Sequence, residues 1–307
     1  MGVAAIVAVV WGLCFVLIQA SLPSPAPLLL AALRAAIGGG VLLVWVAVRR
    51  SNQGLRHRHV GRTDADPDRS GLPPFPLVLA LALANAAIAF GAMYLAAGRA
   101  EAAVASILAG GQPLVLAAAG WTLFGERPSG RALVGLAVAM GGVVLVATTS
   151  SGATSLDGVA LALLAAAAPA AGTILMHKLL PTIDIVLTTS VQFLIGGAML
   201  AGISALIEPW GGLIWSPASV IGMLFLGVVG TGLAYIAWFW LLDRISLVRL
   251  GAALFLVPVT GVVVAIMTGD RPTPTSIAGI AALIVGIGIV SLGGSSQPSD
   301  GASPRTT

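Results

Sequence analysis

The sequence predicts an all-α polytopic membrane protein, with ten transmembrane helices arranged as two inverted five-helix repeats. Hydrophobic residues make up 58% of the 307-residue chain and charged residues 8%, whereas a soluble domain has about 25% charged residues. Lipid must therefore solvate most of the surface. The chain also repeats itself at half length, since Gly-Glu-Arg-Pro-Ser at 125–129 returns as Gly-Asp-Arg-Pro-Thr at 269–273. Such a repeat in an apolar chain is typical of secondary transporters.

Ten apolar runs have about the 20 residues that a helix needs to cross a bilayer. They lie at 2–20, 28–48, 76–97, 102–124, 130–148, 156–176, 184–207, 218–241, 247–267 and 274–292. The first five form one repeat, residues 1–150, which includes a basic loop at 49–75. The other five form the second repeat, residues 151–293. Residues 294–307 are mostly Gly, Ser, Pro and Thr, a composition that predicts a disordered tail.

Each repeat contains an odd number of spans, and this decides how the two copies are oriented. The second copy has to enter the membrane from the side opposite to the first, so the repeats are inverted and can exchange roles during alternating access. Further repeated residues support the alignment of the two halves. The triplet Ile-Gly-Gly at 37–39 returns at 195–197, and Pro113 corresponds to Pro258.

The basic residues indicate topology rather than nucleic-acid binding, because they lie in short loops between apolar segments. With the N-terminus in the cytoplasm, twelve of the fifteen Lys and Arg residues are cytoplasmic, Arg99 and Arg271 lie outside, and Arg34 lies within a span. The positive-inside rule therefore predicts a multi-pass protein of the inner membrane with both termini cytoplasmic. The single cysteine, Cys14, excludes a cysteine-cluster metal site. We expect no metal and no cofactor.

Arg34 is the only ionisable residue well inside a predicted span, roughly 9 Å from its outer end. A charge at this depth is costly unless it is paired or solvated, so such residues usually face a cavity. Arg34 is a candidate contact for a substrate carboxylate, or for a gate carboxylate at Glu101 or Asp270. The alternative is snorkelling to the outer headgroups. Its counterpart in the second repeat is Gln192, which is also polar.

Pro113 and Pro258 fall near the middles of the fourth and ninth predicted spans. A proline there frees backbone carbonyl groups, and broken helices at repeat-related positions point to a binding site near the midplane. We predict hinge roles for both prolines, with a purely structural kink as the alternative. Gln112 precedes the first proline and could donate or accept a hydrogen bond at the break.

Aromatic and hydrogen-bonding side chains within the spans are typical of a cavity for a small amphipathic solute. The candidates for lining it are Trp11, Asn85, Tyr94, Thr231, Tyr235 and Trp238. The alternative for the Tyr and Trp residues is an interfacial belt, which better explains Trp45, Trp210 and Trp215.

These residues also resemble the pattern of the EamA-type drug/metabolite transporters. The resemblance rests on Trp-Gly at 11–12, Leu-Arg at 33–34, Gly-Leu-Ala-Tyr at 232–235 with Trp238, and the two prolines with the motifs that follow them. It covers about residues 2–292. It implies ten helices in two inverted five-helix repeats and the export of amino acids or other small metabolites.

Two positions depart from the pattern of that family. Asp270 stands where the second motif usually has Glu, and Pro169 stands near a position that is often aromatic. The second departure could alter the shape of the cavity and therefore the solute.

The sequence leaves coupling and oligomeric state open. No Asp or Glu lies in the middle of a predicted span, whereas proton-coupled carriers typically use a buried carboxylate. We therefore favour uniport or exchange. Small residues recur every four positions on the fifth and tenth spans, and such faces pack closely either within one chain or in a homodimer.

A membrane-embedded enzyme is the competing interpretation. His59 and Asp64 have the H-x4-D spacing of lipid acyltransferases, in which a carboxylate orients a histidine base. They lie, however, in a predicted polar loop without an apolar framework. No P-loop occurs, which argues against ATP drive, and a helix-bundle scaffold has no need of inverted duplication.

We therefore predict a secondary transporter and not an enzyme. Its partners are the lipid bilayer and a small-molecule substrate, and not a nucleic acid. The predicted solute is an amino acid or a related small metabolite, with drugs, sugars or lipids as the alternatives.

Overall fold

The computed structural model describes most of the chain. The described residues are 2–21, 25–60, 71–100, 129–149, 155–177, 183–213, 215–242, 256–267 and 273–292, together with positions 104, 105, 108, 111, 112, 115 and 244. They are helical apart from short connections, which include a 3₁₀ turn at Trp210–Gly212 and an isolated bridge between Gly71 and Ile183. Within this part of the chain there is no β-strand, in agreement with the predicted all-α class.

Nine helices can be followed through the described residues. They are α1 (Gly2–Ser21), α2 (Pro27–Val60), α3 (Phe75–Ala97), α4 (Gly130–Thr149), α5 (Leu156–His177), α6 (Ile185–Ile207), α7 (217–242), α8 (Leu256–Met267) and α9 (Pro274–Leu292). Helices α1, α2, α3, α6 and α7 are long and apolar enough to cross a bilayer, with mean hydropathy between 1.8 and 2.5. Helices α4, α5 and α9 contain shorter apolar stretches. The protein is therefore a polytopic membrane protein.

Where a predicted span is described in full, the helix agrees with it to within a few residues. The exception is α2, which continues through Val60, so the first part of the predicted loop at 49–75 is helical. Its Arg, Gln and Leu residues favour a helix, and no proline interrupts them. The predicted spans 102–124 and 247–267 are described only in part, and the predicted tail at 294–307 lies outside the described residues.

Two helices change their hydrogen-bond register part-way along. Helix α3 is π-helical at Leu83–Ile88, and α7 is π-helical at Phe225–Leu233. Such segments interrupt an α-helix with a wider turn and are frequent at functional sites. The two helices correspond to the third and the eighth predicted spans, so the π segments lie at comparable places in the two halves of the sequence.

The helices pack so that the two halves of the chain interleave. Helix α2 lies against α6 and α7, α3 against α5 and α6, α1 against α7 and α8, and α4 against α9. The largest cluster of buried side chains lies where α1, α2, α3, α6 and α7 meet. It includes Ile18, Leu42, Phe90, Phe193 and Leu226. The core is thus shared by both halves.

Close approach of α2 and α6 depends on glycine. A Cβ atom at Gly39 would lie 3.0 Å from the carbonyl oxygen of Ser190, and one at Gly197 would lie 3.1 Å from the carbonyl oxygen of Ala32. In each case the glycine Cα of one helix packs directly against the backbone of the other helix. A larger residue at either position would push the two helices apart.

Helices α4 and α9 also cross through glycine. A Cβ atom at Gly142 would lie 2.6 Å from the carbonyl oxygen of Gly279, and one at Gly286 would lie 2.6 Å from that of Gly135. Packing within one chain therefore uses part of the small-residue pattern on these helices. Gly141 faces open space, and a homodimer stays a prediction.

Carboxylates hold both ends of the α2–α6 pair. At one end, Glu208 accepts hydrogen bonds from the backbone N–H groups of Leu28 (2.8 Å) and Leu29 (3.1 Å), which are free donors at the start of α2. At the other end, Asp184 caps α6, and its Oδ2 atom lies 3.4 Å from Nη2 of Arg50 on α2. Helices α2 and α6 are thus tied together at both ends.

Candidate solute-binding site

Arg34 lies on the buried side of α2 and is only 3% exposed. Its Nε atom donates to the hydroxyl oxygen of Thr231 at 3.0 Å, and its Nη1 atom donates to the sulfur of Met93 at 3.3 Å. The guanidinium carbon lies 4.8 Å from the centre of the Phe90 ring. The cation therefore points into the helix bundle, toward α3 and α7, and does not reach outward to headgroups.

The π segment of α7 sets the orientation of the Thr231 hydroxyl. That hydroxyl donates its proton to the carbonyl oxygen of Leu226, five residues earlier, at 2.9 Å. Its oxygen is then left to accept from Arg34. Glycines let neighbouring helices approach this segment, since a Cβ atom at Gly230 would lie 2.6 Å from the sulfur of Cys14 on α1. The segment therefore fixes the direction in which Arg34 donates.

The charge of Arg34 has no carboxylate partner among the described residues. The ion pairs formed by those residues are Arg50 with Asp184 and Arg99 with Asp157. The acceptors that Arg34 does have, a hydroxyl and a thioether, are both neutral. Burying a guanidinium in this way is costly unless an anion joins it.

Tyr94 on α3 adds a buried donor in the same region. Its side chain is fully buried in the same cluster as Phe90, and its hydroxyl has no hydrogen-bond partner among the described residues. A buried hydroxyl without an acceptor is uncommon in native structures and often indicates a missing ligand or water. Arg34 and Tyr94 together favour a ligand that supplies acceptor atoms.

A second polar contact joins α3 to α6. Nδ2 of Asn85, in the π segment of α3, donates to Oε1 of Gln192 at 2.9 Å. Helix α5 closes over this contact at Gly172, where a Cβ atom would lie 2.6 Å from Nδ2 of Asn85. Gln192 is 2% exposed. The pair is therefore enclosed between three helices.

The two polar contacts are related by the sequence repeat. Gln192 follows Arg34 by the same offset that separates the Ile-Gly-Gly triplets. Gly38 faces Thr231 on the π segment of α7, and its counterpart Gly196 faces Ala86 on the π segment of α3. In each case a polar residue of one half contacts a π segment of the other half.

An aromatic cluster extends from Arg34 toward α1. Phe90 lies 5.4 Å from Phe193, and Phe193 lies 5.1 Å from Tyr235 in an edge-to-face contact, measured between ring centres. Tyr235 lies 5.7 Å from Trp11, which lies 5.2 Å from Trp238. These spacings are typical of favourable aromatic pairs. Trp11, Tyr235 and Trp238 thus come together, and their role in lining a cavity stays a prediction.

Three members of the site were not predicted from the sequence, namely Phe90, Met93 and Phe193. Each is an apolar residue in an apolar helix, and the sequence does not show which way such a residue faces. One signal was available for Phe90, which precedes the predicted Tyr235 by 145 positions, the offset that relates Pro113 to Pro258.

The remaining candidates are described only in part. Gln112 is half-buried at a helical position, and Pro113, Glu101 and Asp270 lie outside the described residues. Pro258 is the third residue of α8. The predicted hinges and the predicted gate carboxylates therefore stay predictions.

A sequence model of the EamA-like transporter family matches residues 1–148 and 156–292. The chain belongs to the EamA-like transporter family. Membership makes the protein a membrane transporter and not an enzyme, and it confirms the resemblance drawn from the sequence. It also agrees with the several apolar helices of the structure.

Full-length relatives carry transporter names. The uncharacterized transporter YvbV of Bacillus subtilis is 26% identical, with 93% of this chain and 89% of the relative covered. A probable amino-acid metabolite efflux pump of Salmonella typhimurium is 28% identical, with 92% of each chain covered. The protein of the same name in Escherichia coli is 26% identical over the same shares.

Solved structures share the fold of this EamA-like transporter. One crystal structure superimposes with a TM-score of 0.62 and covers 94% of this chain and 96% of the other, at 19% sequence identity. At that identity the match supports the fold and carries no argument about the solute.

Proposed function

We propose that the protein is a secondary transporter of the inner membrane that exports amino acids or related small metabolites by alternating access. The observation that carries the proposal is Arg34, a buried cation with neutral partners among the described residues. A carboxylate on the solute would supply the missing anion. The efflux-pump names of two full-length relatives point to the same class of solute.

The energetics of Arg34 favour a role in binding over a role in stability. A charged residue at the centre of a membrane helix costs about 2.5 to 3.5 kcal/mol or more. A protein keeps such a residue where it contributes to function. Guanidinium also matches carboxylate geometry with two parallel N–H donors. A solute carboxylate is therefore the ligand that best offsets the cost.

The aromatic cluster suits the rest of such a solute. Phe90 lies against the guanidinium of Arg34, and Phe193 connects it to Tyr235. Aromatic faces accept apolar side chains and orient them through edge contacts. A carboxylate at Arg34 would therefore leave the apolar part of the solute against this cluster.

The packing of the helices supports ten spans in two inverted repeats. The repeat pairs each predicted span of the first half with the span five places later, so α1 corresponds to α5 and α3 to α7. Under this correspondence, the contact of α1 with α7 is equivalent to the contact of α5 with α3. Likewise, the contact of α2 with α7 is equivalent to the contact of α6 with α3. All four contacts occur in the structure. An arrangement that maps onto itself in this way allows two halves to swap roles between inward-facing and outward-facing states.

Topology and coupling complete the proposal. The distribution of Lys and Arg supports a topology with both termini in the cytoplasm. No Asp or Glu lies in the middle of a predicted span, so we favour uniport or exchange over proton coupling.

The test is counterflow in proteoliposomes that contain the purified full-length chain. Vesicles are loaded with mixed amino acids, and the exchange of labelled solutes is measured with and without a pH gradient. We expect solute-dependent flux that Arg34→Ala abolishes. Arg99→Ala is the matched control, because Arg99 is exposed and pairs with the exposed Asp157.

Other outcomes would contradict parts of the proposal. Flux unaffected by Arg34→Ala in a folded protein would remove the cation from the solute pathway. Flux that appears only with drugs, sugars or lipids would replace the proposed solute class. A strict requirement for a pH gradient would contradict uniport and exchange.

A further inference from the structure

The buried polar groups of the described residues carry charge of one sign only. Arg34 is the sole charged side chain among the buried polar residues that the structure describes, and the others are neutral. These are Thr188, Thr189, Ser190, Gln192, Ser204 and Thr231. The described carboxylates Asp184 and Glu208 lie at helix ends, where they cap α6 and α2. Among the described residues, a solute at Arg34 therefore meets a cation and neutral dipoles.

This charge pattern treats the two ionic groups of an amino acid differently. The carboxylate finds Arg34. The described residues offer the ammonium no opposite charge, and the same guanidinium repels it at short range in a medium of low dielectric. Aromatic faces attract a cation only weakly in comparison with a carboxylate. Binding a free amino acid would thus bury an ammonium that this site does not compensate.

The unsatisfied donor of Tyr94 points the same way. Its buried hydroxyl needs an acceptor, and the N–H groups of Arg34 are donors only. A carboxylate offers two oxygens with four lone pairs, which is enough to accept from both side chains. An ammonium offers none.

We infer that the site recognises a single carboxylate on an apolar body and does not recognise an ammonium group. The favoured solutes are monocarboxylates whose nitrogen is absent or uncharged, such as 2-hydroxy acids and N-acylated amino acids. This inference rests on the proposed function, since it describes the solute of the same site.

The test compares solutes that share one ring and differ in charge. Wild-type protein in proteoliposomes is assayed at pH 7 for counterflow of labelled 3-phenyllactate, with phenylalanine and phenylalaninamide as competitors. 3-Phenyllactate replaces the ammonium of phenylalanine by a hydroxyl, and phenylalaninamide lacks the carboxylate. We expect 3-phenyllactate to half-saturate at a concentration at least about tenfold below that of phenylalanine, and phenylalaninamide not to compete.

A variant separates recognition from general stability. Tyr94→Phe keeps the ring in the core and removes the hydroxyl. We expect it to raise the half-saturating concentration of 3-phenyllactate by about tenfold while maximal flux and thermal stability change little. An unchanged half-saturating concentration would overturn the role of Tyr94 as a donor to the carboxylate.

The failure of this inference differs from the failure of the proposed function. Flux of phenylalanine that equals or exceeds that of 3-phenyllactate would overturn the inference alone. Competition by phenylalaninamide would do the same, since it would show that the carboxylate is not required. Absence of flux for all amino acids and carboxylates would overturn the proposed function and this inference with it.

Discussion

Arg34 and Thr231 show how one residue positions another. The hydroxyl of Thr231 is held by the Leu226 carbonyl, and its oxygen accepts from Nε of Arg34. Of the terminal nitrogens, Nη1 donates to the sulfur of Met93. Thr231 was predicted as a lining residue, and the contacts assign it to the support of Arg34.

We expect Thr231→Val to weaken solute binding without unfolding the protein. Valine has nearly the shape of threonine but no acceptor for Arg34, so the guanidinium loses a hydrogen bond worth about 1 kcal/mol or more. The half-saturating concentration should rise by about five- to tenfold in the counterflow assay. Thr231→Ser, which keeps the hydroxyl, is the control and should stay close to wild type. Equal loss in both variants would contradict a positioning role.

Gly172 is expected to be intolerant of a side chain because of Asn85. A methyl group at Gly172 would meet the Asn85 amide and disturb its hydrogen bond to Gln192. Gly172→Ala should destabilise the protein by about 1 to 3 kcal/mol, measured by unfolding in detergent. Adding Asn85→Ala should recover part of this loss, because the clash is then removed. Additive effects of the two changes would show that the residues are not coupled.

Sequence reasoning found the polar residues of the site better than the apolar ones. Arg34, Asn85 and Gln192 were found because polar groups within an apolar helix must face the interior. Phe90 and Phe193 were missed because an aromatic residue in such a helix is equally acceptable to lipid and to core. The pairing of Arg34 with Thr231, rather than with a carboxylate, depends on a backbone register that the sequence does not display.

At the scale of elements, the ends of α2 and α6 are the best-defined feature. Glu208 also accepts from the hydroxyl of Ser204 at 2.6 Å, and Nε1 of Trp210 donates to that hydroxyl at 3.0 Å. One carboxylate thereby connects the end of α6, the turn that follows it and the start of α2.

We expect Glu208→Gln to destabilise the protein by about 1 to 2 kcal/mol. The change removes the negative charge at the start of α2 and turns one acceptor into a donor that faces backbone N–H groups. Thermal unfolding in detergent measures the effect. The matched control is Asp157→Asn, since Asp157 forms an exposed ion pair with Arg99 and such pairs contribute little. Equal effects in the two variants would contradict the capping role of Glu208.

The positions of most helices could be predicted, and their internal geometry could not. Runs of about 20 apolar residues mark a span because the bilayer fixes its length. The π segments of α3 and α7 and the extension of α2 through Val60 escaped prediction. A π segment arises from helix packing, and the extension is polar in sequence, so the hydrophobic pattern gives no signal there.

For the whole molecule, the strongest prediction is its orientation. Ser51 on α2 and Ser155 just before α5 are both exposed, and the predicted topology assigns them to opposite sides. We expect Ser155→Cys to react with a membrane-impermeant maleimide in intact cells, and Ser51→Cys to react only after lysis. The single native cysteine, Cys14, is buried, so the wild type provides a low background. Labelling of Ser51→Cys in intact cells would reverse the topology.

The difference between Arg34 and its counterpart Gln192 has a kinetic consequence. A carrier with identical halves would present mirror-image sites to the two sides of the membrane. Here the cation belongs to one half, so the two facing states differ in energy and hold the solute unequally. Without a coupled ion this inequality cannot drive uphill flow, because the rate constants around the cycle must balance. The unequal binding does set the cytoplasmic solute concentration at which outward flow becomes appreciable. In this way one arginine would restrict export to conditions in which the solute accumulates in the cytoplasm.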